Sequence, residues 1–142
     1  MNGIKINSKK DFLMISLSKF YEKESNLKIL KPIISGKSRI SLRILDWFVT
    51  NFSKKFGTSY TNDNLKKSNF IVYLNYKSQL KAYSKKQFDP FCRRERITYT
   101  DKNNNDIVTT VGQLNFFRWA IENNIINYII DNIDTIEKDM IE

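Results

Sequence analysis

Apolar positions in this chain fall first into a helical rhythm. Between Ser8 and Glu24, Leu13, Leu17 and Phe20 recur at i, i+4 and i+7, which predicts a helix. The clearest pattern spans Arg39–Phe56. Ile40, Ile44, Trp47, Phe48 and Phe52 form one stripe there, and Leu45, Val49, Phe52 and Phe56 form its neighbour, giving a wide apolar face. Ser38 fits an N-cap, Lys54 and Lys55 suit the negative end of the helix dipole, and Gly57 fits the residue just past the helix. This helix is expected at the centre of the core. Ser25–Ser38 lacks such a rhythm, is interrupted by Pro32 and Gly36, and reads as a loop with a short extended piece over Lys28–Ile34.

The period then shortens. Thr58–Ser68 is polar and loop-like, and Asn69–Asn75 alternates with β-branched and aromatic residues, predicting a strand. Ser78–Ser84 reads as a short helix with Lys77, Lys81 and Lys85 along one face. Phe88-Asp89-Pro90-Phe91 is a turn, because a residue before proline is pushed out of helical geometry. Arg94–Thr100 and Asp106–Thr110 flank the polar run Asp101-Lys102-Asn103-Asn104-Asn105, the pattern of a hairpin.

Thr110 and Gln113 supply a capping box for a helix over Val111–Glu122, with Leu114, Phe117, Ala120 and Ile121 as its buried stripe. Beyond Asn123-Asn124, Ile125–Ile141 carries Ile126, Ile129, Ile133, Ile136 and Met140 on one side. That stripe either packs on the domain or is open to a partner. Residues 1–7 read as a flexible start or an edge strand. The whole predicts a single α+β domain over 1–142, with about four helices around a small antiparallel sheet. The order helix, strand, helix, hairpin, helix allows a winged-helix-like arrangement with the 94–110 hairpin as the wing, an analogy that says little about function.

Composition narrows the chemistry. A chain of 142 residues buries roughly 68–70% of its unfolded surface, so it needs no staples to fold. There is no histidine and a single cysteine, Cys92, which excludes an intrachain disulfide, Cys/His zinc sites and imidazole-based nucleophilic catalysis. No metal or cofactor is expected. No run approaches the ~20 apolar residues of a membrane span, and Phe12–Ile15 is too short for a signal peptide. The expected setting is intracellular, without a membrane.

Charge changes the picture most. The net charge is +9, but residues 1–100 carry 21 Lys/Arg against seven Asp/Glu, whereas residues 101–142 carry three against eight. The acidic tail therefore faces solvent, folds back, or meets a basic partner. Between Tyr76 and Arg96 seven cations face only two acids: Lys77, Lys81, Lys85, Lys86, Arg93, Arg94 and Arg96 against Asp89 and Glu95. Tyr76, Tyr83, Phe88 and Phe91 are interleaved with them. Cations hold phosphates and aromatic faces stack on exposed bases, so this mixture suits nucleic acid. It also suits a solvated basic face whose aromatics turn into a core.

Other motifs have plainer readings. Ser35-Gly36-Lys37-Ser38 resembles the end of a phosphate-binding loop, but the glycine such a loop needs is Lys31 here, and capping explains the residues better. Asp89 and Glu95 are too few to define a metal-dependent nuclease; Asp89 reads as a turn residue and Glu95 as a partner for Arg93 or Arg94. Cys92 reads as a small buried hydrophobe, and Trp119 as core with Arg118 snorkelling outward.

Taken together, residues 41–55, 76–97 and 109–126 resemble a small uncharacterised protein of large nucleocytoplasmic DNA viruses of the mimivirus and algal-virus kind. The resemblance covers roughly residues 38–130. It implies a viral factory, host cytoplasm or virion as the setting. The expected function is non-enzymatic nucleic-acid binding, DNA or RNA, with Lys77, Lys81, Lys85, Lys86, Arg93, Arg94 and Arg96 on phosphates and Tyr83 or Phe88 stacking. The alternative is a protein-interaction or virion-assembly module, or a homodimer, using residues 125–141.

Overall fold

The most deeply buried helix is not the one that the apolar pattern favours. In the computed structural model, which describes residues 9–61, 69–91 and 95–142, the centre is α7, Val111–Glu122. Val111, Gly112, Leu114, Asn115, Phe116, Phe117, Trp119 and Ala120 are all buried, so α7 is covered on nearly every side rather than along the single predicted stripe. Thr110 caps it, its hydroxyl accepting a 3.0 Å bond from the Gln113 amide. The other half of the box does not form. Gln113 instead accepts from the Thr109 hydroxyl at 2.6 Å and donates to the Pro90 carbonyl at 3.4 Å.

Around α7 lie α1 (Lys9–Glu22), α2 (Glu24–Ile34), α3 (Leu42–Trp47), a π-helical turn (Phe48–Phe52) and α4 (Ser53–Phe56). The Tyr21 hydroxyl fastens α1 to α7, donating 2.6 Å to the Leu114 carbonyl inside the core. Burial holds that phenol well above its ordinary pKa. The expected loop at 25–34 is helix α2, because Leu27, Leu30 and Ile33 place a buried stripe at helical spacing. Pro32 sits in its last turn, where one lost hydrogen bond is tolerated.

Gly36 then adopts φ +77°, and the amides of Gly36, Lys37 and Ser38 bond the carbonyls of Ile33 and Pro32. The phosphate-loop look-alike is thus a helix C-cap with those amides already used. The next helix starts three residues later than expected. Ser41, not Ser38, caps it, accepting from the Ile44 amide at 3.0 Å. Gly57 is left-handed at φ +60°, as its position past the helix end predicts. The π-helical turn lets Phe48, Val49, Phe52 and Ser53 all face inward. The hydroxyls of Thr50 and Ser53 bond the carbonyls of Asp46 and Val49 alongside it.

Among the described residues the strands form two separate two-stranded antiparallel ladders, not one sheet. β1 (Ser59–Thr61) pairs with β2 (Asn69–Ile71), Tyr60 opposite Phe70. The strand predicted to reach Asn75 gives way at Val72 to α5 (Val72–Ala82), where Val72, Tyr76 and Leu80 turn to the core at i, i+4 and i+8. After α6 (Lys85–Phe88), the hairpin β3 (Ile97–Thr100) to β4 (Asp106–Thr109) forms as predicted, Ile97 opposite Thr109. Its loop is organised by Asp101, whose carboxylate accepts from the amides of Asn103 and Asn105.

The protein is α+β, but it has more helices than the four expected, and the winged-helix comparison is not confirmed. The C-terminal helix is two, α8 (Ile125–Asp131) and α9 (Ile133–Ile141), broken at Asn132. Ile126, Ile129, Ile133 and Ile136 are buried, so the stripe that an interaction module would offer is packed on its own core. Residues 1–7 lie outside the described residues. Among the described residues no helix is long and apolar enough to cross a membrane.

Candidate nucleic-acid interface

Phe88 anchors the basic segment. Its side chain is fully buried, with ring centroids 5.4 Å from Phe116, 5.6 Å from Trp119 and 6.1 Å from Tyr76 and Tyr83. It is therefore not available to stack on a base, which corrects the expectation for this residue. α6 lies directly on the start of α7 because Gly112 has no side chain. A Cβ there would sit 2.7 Å from the Lys86 carbonyl oxygen and 2.8 Å from that of Asp89. Asn115, itself buried, donates 2.9 Å to the Gln87 carbonyl and completes the clamp. Asp89 is a turn residue, accepting from the Phe91 amide at 2.9 Å.

On this frame Lys77, Lys81, Lys85, Lys86 and Arg96 are exposed. Among the described residues Lys77, Lys81, Lys86 and Arg96 form no ion pair, and Lys85 stands 4.0 Å from the Asp89 carboxylate. The lysines do not share one helix face as expected. α5 ends at Ala82 and Tyr83 becomes extended, so Lys85 and Lys86 start a new helix. Arg93, Arg94 and Cys92 lie outside the described residues. Arg96 lines a cleft of about 450 Å³ with Phe91, Thr109 and Gln113, whereas Tyr83 lines a different one, so the described residues do not gather into a single groove.

Four acids of the C-terminal third fold back, but onto other cations. Asp134 and Glu137 on α9 pair with Arg39, Asp139 pairs with Lys55 and accepts from the Trp47 indole at 3.0 Å, and Asp101 pairs with Lys31. The Lys55 ammonium and the Trp47 N–H together hold the Asp139 carboxyl below its usual range. The Lys31 ammonium and the loop amides hold Asp101 down at about 2. On the other side, burial and the nearby Asp89 push the Asp46 carboxyl up.

Sequence reasoning missed the cleft that Tyr83 borders. It has a volume of about 990 Å³ and brings together Lys19, Lys23, Gln79, Tyr83, Arg118 and Trp119 from well-separated stretches of chain. No local motif signals it, because its lining is drawn from α1, α2, α5 and α7, which only tertiary packing brings together. Arg118 does not snorkel outward. It donates to the Ser16 hydroxyl at 2.7 Å and to the Asn115 side-chain oxygen at 3.0 Å, with Glu122 at 3.7 Å. Among the described residues no three Cys, Asp or Glu side chains cluster in a way that would hold a metal ion.

The chain belongs to DUF7197, a family of unknown function, whose model matches residues 3–142. It is 44% identical over 149 residues to "Uncharacterized protein L507" of Acanthamoeba polyphaga mimivirus. That match takes in 99% of this chain and 57% of the relative, so the chain spans little more than half of the relative's length. The resemblance to proteins of large DNA viruses is therefore shown. No solved structure matches the chain.

Proposed function

We propose that this chain is a non-enzymatic nucleic-acid-binding protein of viral origin that holds phosphates through its basic-aromatic segment 76–96. The observation that carries this reading is the state of the cations. Lys77, Lys81, Lys86 and Arg96 project into solvent with no ion pair among the described residues, while Asp101, Asp134, Glu137 and Asp139 of the C-terminal third pair with Lys31, Arg39 and Lys55. Unneutralised cations fixed on a rigid frame are what counterion release from a polyanion requires. Arg93 and Arg94 add to the charge of the same segment. The absence of histidine from the sequence supports binding over catalysis. Binding of this kind suits a viral factory or virion, where DNA and RNA are abundant.

The test is affinity for duplex and single-stranded DNA and RNA over a salt series, for wild type and for the Lys77→Ala/Lys81→Ala/Lys86→Ala/Arg96→Ala variant. Each phosphate contact contributes about −0.9 to the log–log slope on duplex and about −0.7 on single strands. The variant is expected to flatten the slope by up to about 3.6 on duplex and about 2.8 on single strands. A slope equal to that of wild type would remove these four residues as the contact surface.

A further inference from the structure

We infer that the 990 Å³ cleft between α1, α5 and α7 is the seat for unpaired bases of single-stranded nucleic acid, with Tyr83 as stacking platform and Lys19 and Lys23 on the adjoining phosphates. This rests on the nucleic-acid reading above but on different residues. Tyr83 lies parallel to the core residue Phe88, 8° between ring planes and 6.1 Å between centroids, so its orientation is fixed before any ligand arrives. It is half-buried and borders the cleft. A preordered aromatic face gives base stacking without an ordering cost.

The remaining lining suits a nucleotide. Lys19 and Lys23 are exposed and, among the described residues, form no ion pair. Gln79 makes no side-chain hydrogen bond among the described residues, which leaves its amide to meet a base edge. Arg118 is held in place by Ser16 and Asn115, and Glu122, the acid on this wall, already lies beside Arg118. The volume is at the upper end of ligand pockets, about 300–1,000 Å³. A stacked, paired base does not expose its face to such a recess, so the cleft selects single strands over duplex. Gln79 lies about half a turn round α5 from Lys77 and Lys81, so the cleft and those lysines meet different parts of a bound strand.

The experiment is fluorescence anisotropy with labelled oligothymidylate, oligouridylate and a blunt DNA duplex, on Tyr83→Leu, Tyr83→Phe and Lys19→Ala/Lys23→Ala. Tyr83→Leu should weaken single-strand binding by about 5- to 100-fold and leave duplex binding unchanged, with Tyr83→Phe close to wild type. The double lysine variant should reduce the single-strand salt slope by about 1.4. Trp119 lines the cleft, so oligonucleotide binding should also change its emission. Should Tyr83→Leu fail to fold, the lysine variant and Trp119 emission decide alone. Cleft variants that bind single strands like wild type, while the Lys77/Lys81/Lys86/Arg96 variant loses binding, would overturn the cleft and leave the general reading standing. A wild-type chain that binds no nucleic acid would overturn both.

Discussion

The acidic third of this chain and the basic segment before it handle charge in opposite ways. Asp101, Asp134, Glu137 and Asp139 reach back to Lys31, Arg39 and Lys55, so opposite charges close on each other within the fold. Residues 77–91 are held by apolar and backbone contacts instead: Phe88 in the core, Gly112 making room, Asn115 on the Gln87 carbonyl. Lys77, Lys81, Lys86 and Arg96 form no ion pair among the described residues and stay in solvent. A net charge of +9 therefore says less about binding than the identity of the cations that the fold leaves unmatched.

The largest break in this comparison should come from Phe88→Ala. Removing a fully buried phenylalanine costs about 3–5 kcal/mol, read as a fall in denaturation midpoint with an unchanged denaturant slope, and it should loosen the whole basic segment. Gly112→Ala should cost about 1–3 kcal/mol in the same assay, because its Cβ meets backbone oxygens that cannot swing away. Arg39→Ala should move the midpoint least of the three, since Arg39 is 60% exposed and its partner Asp134 more so, and solvent screens the pair. The pairing on the acidic side also predicts a pH effect. Asp101 is held near 2 against an unfolded value of about 3.9, so its contribution is complete above pH 4 and fades as pH falls towards 2. Asp101→Asn should flatten thermal stability across that window; an unchanged profile would mean that the Lys31 pair is not formed in solution.

The sequence was most legible where one pattern had no rival. The hairpin flanking Asp101–Asn105, the limits of α7 and the left-handed Gly57 all follow from local rules. It was least legible where two signals competed. Pro32 and Gly36 masked the stripe of Leu27, Leu30 and Ile33, so α2 read as loop, and Phe70 with Val72 imitated a longer strand over the first turn of α5. At the candidate site the exposure of Lys77, Lys81, Lys86 and Arg96 was legible from their charge. The burial of Phe88 was not, because interleaved aromatics look the same whether they face bases or a core. The Tyr83 cleft was invisible for a different reason: Lys19 and Arg118 are 99 positions apart, and only tertiary packing joins them.

The most direct test holds net charge constant. Lys77→Ala/Lys81→Ala and Arg39→Ala/Lys55→Ala each remove two positive charges, one pair from the unmatched segment and one from the acid-paired set. Duplex DNA affinity is measured for both across a salt series. The account predicts that the first variant loses up to about 1.8 from the log–log slope while the second stays near wild type. Equal losses in the two variants would mean that binding follows net charge alone, and would contradict it.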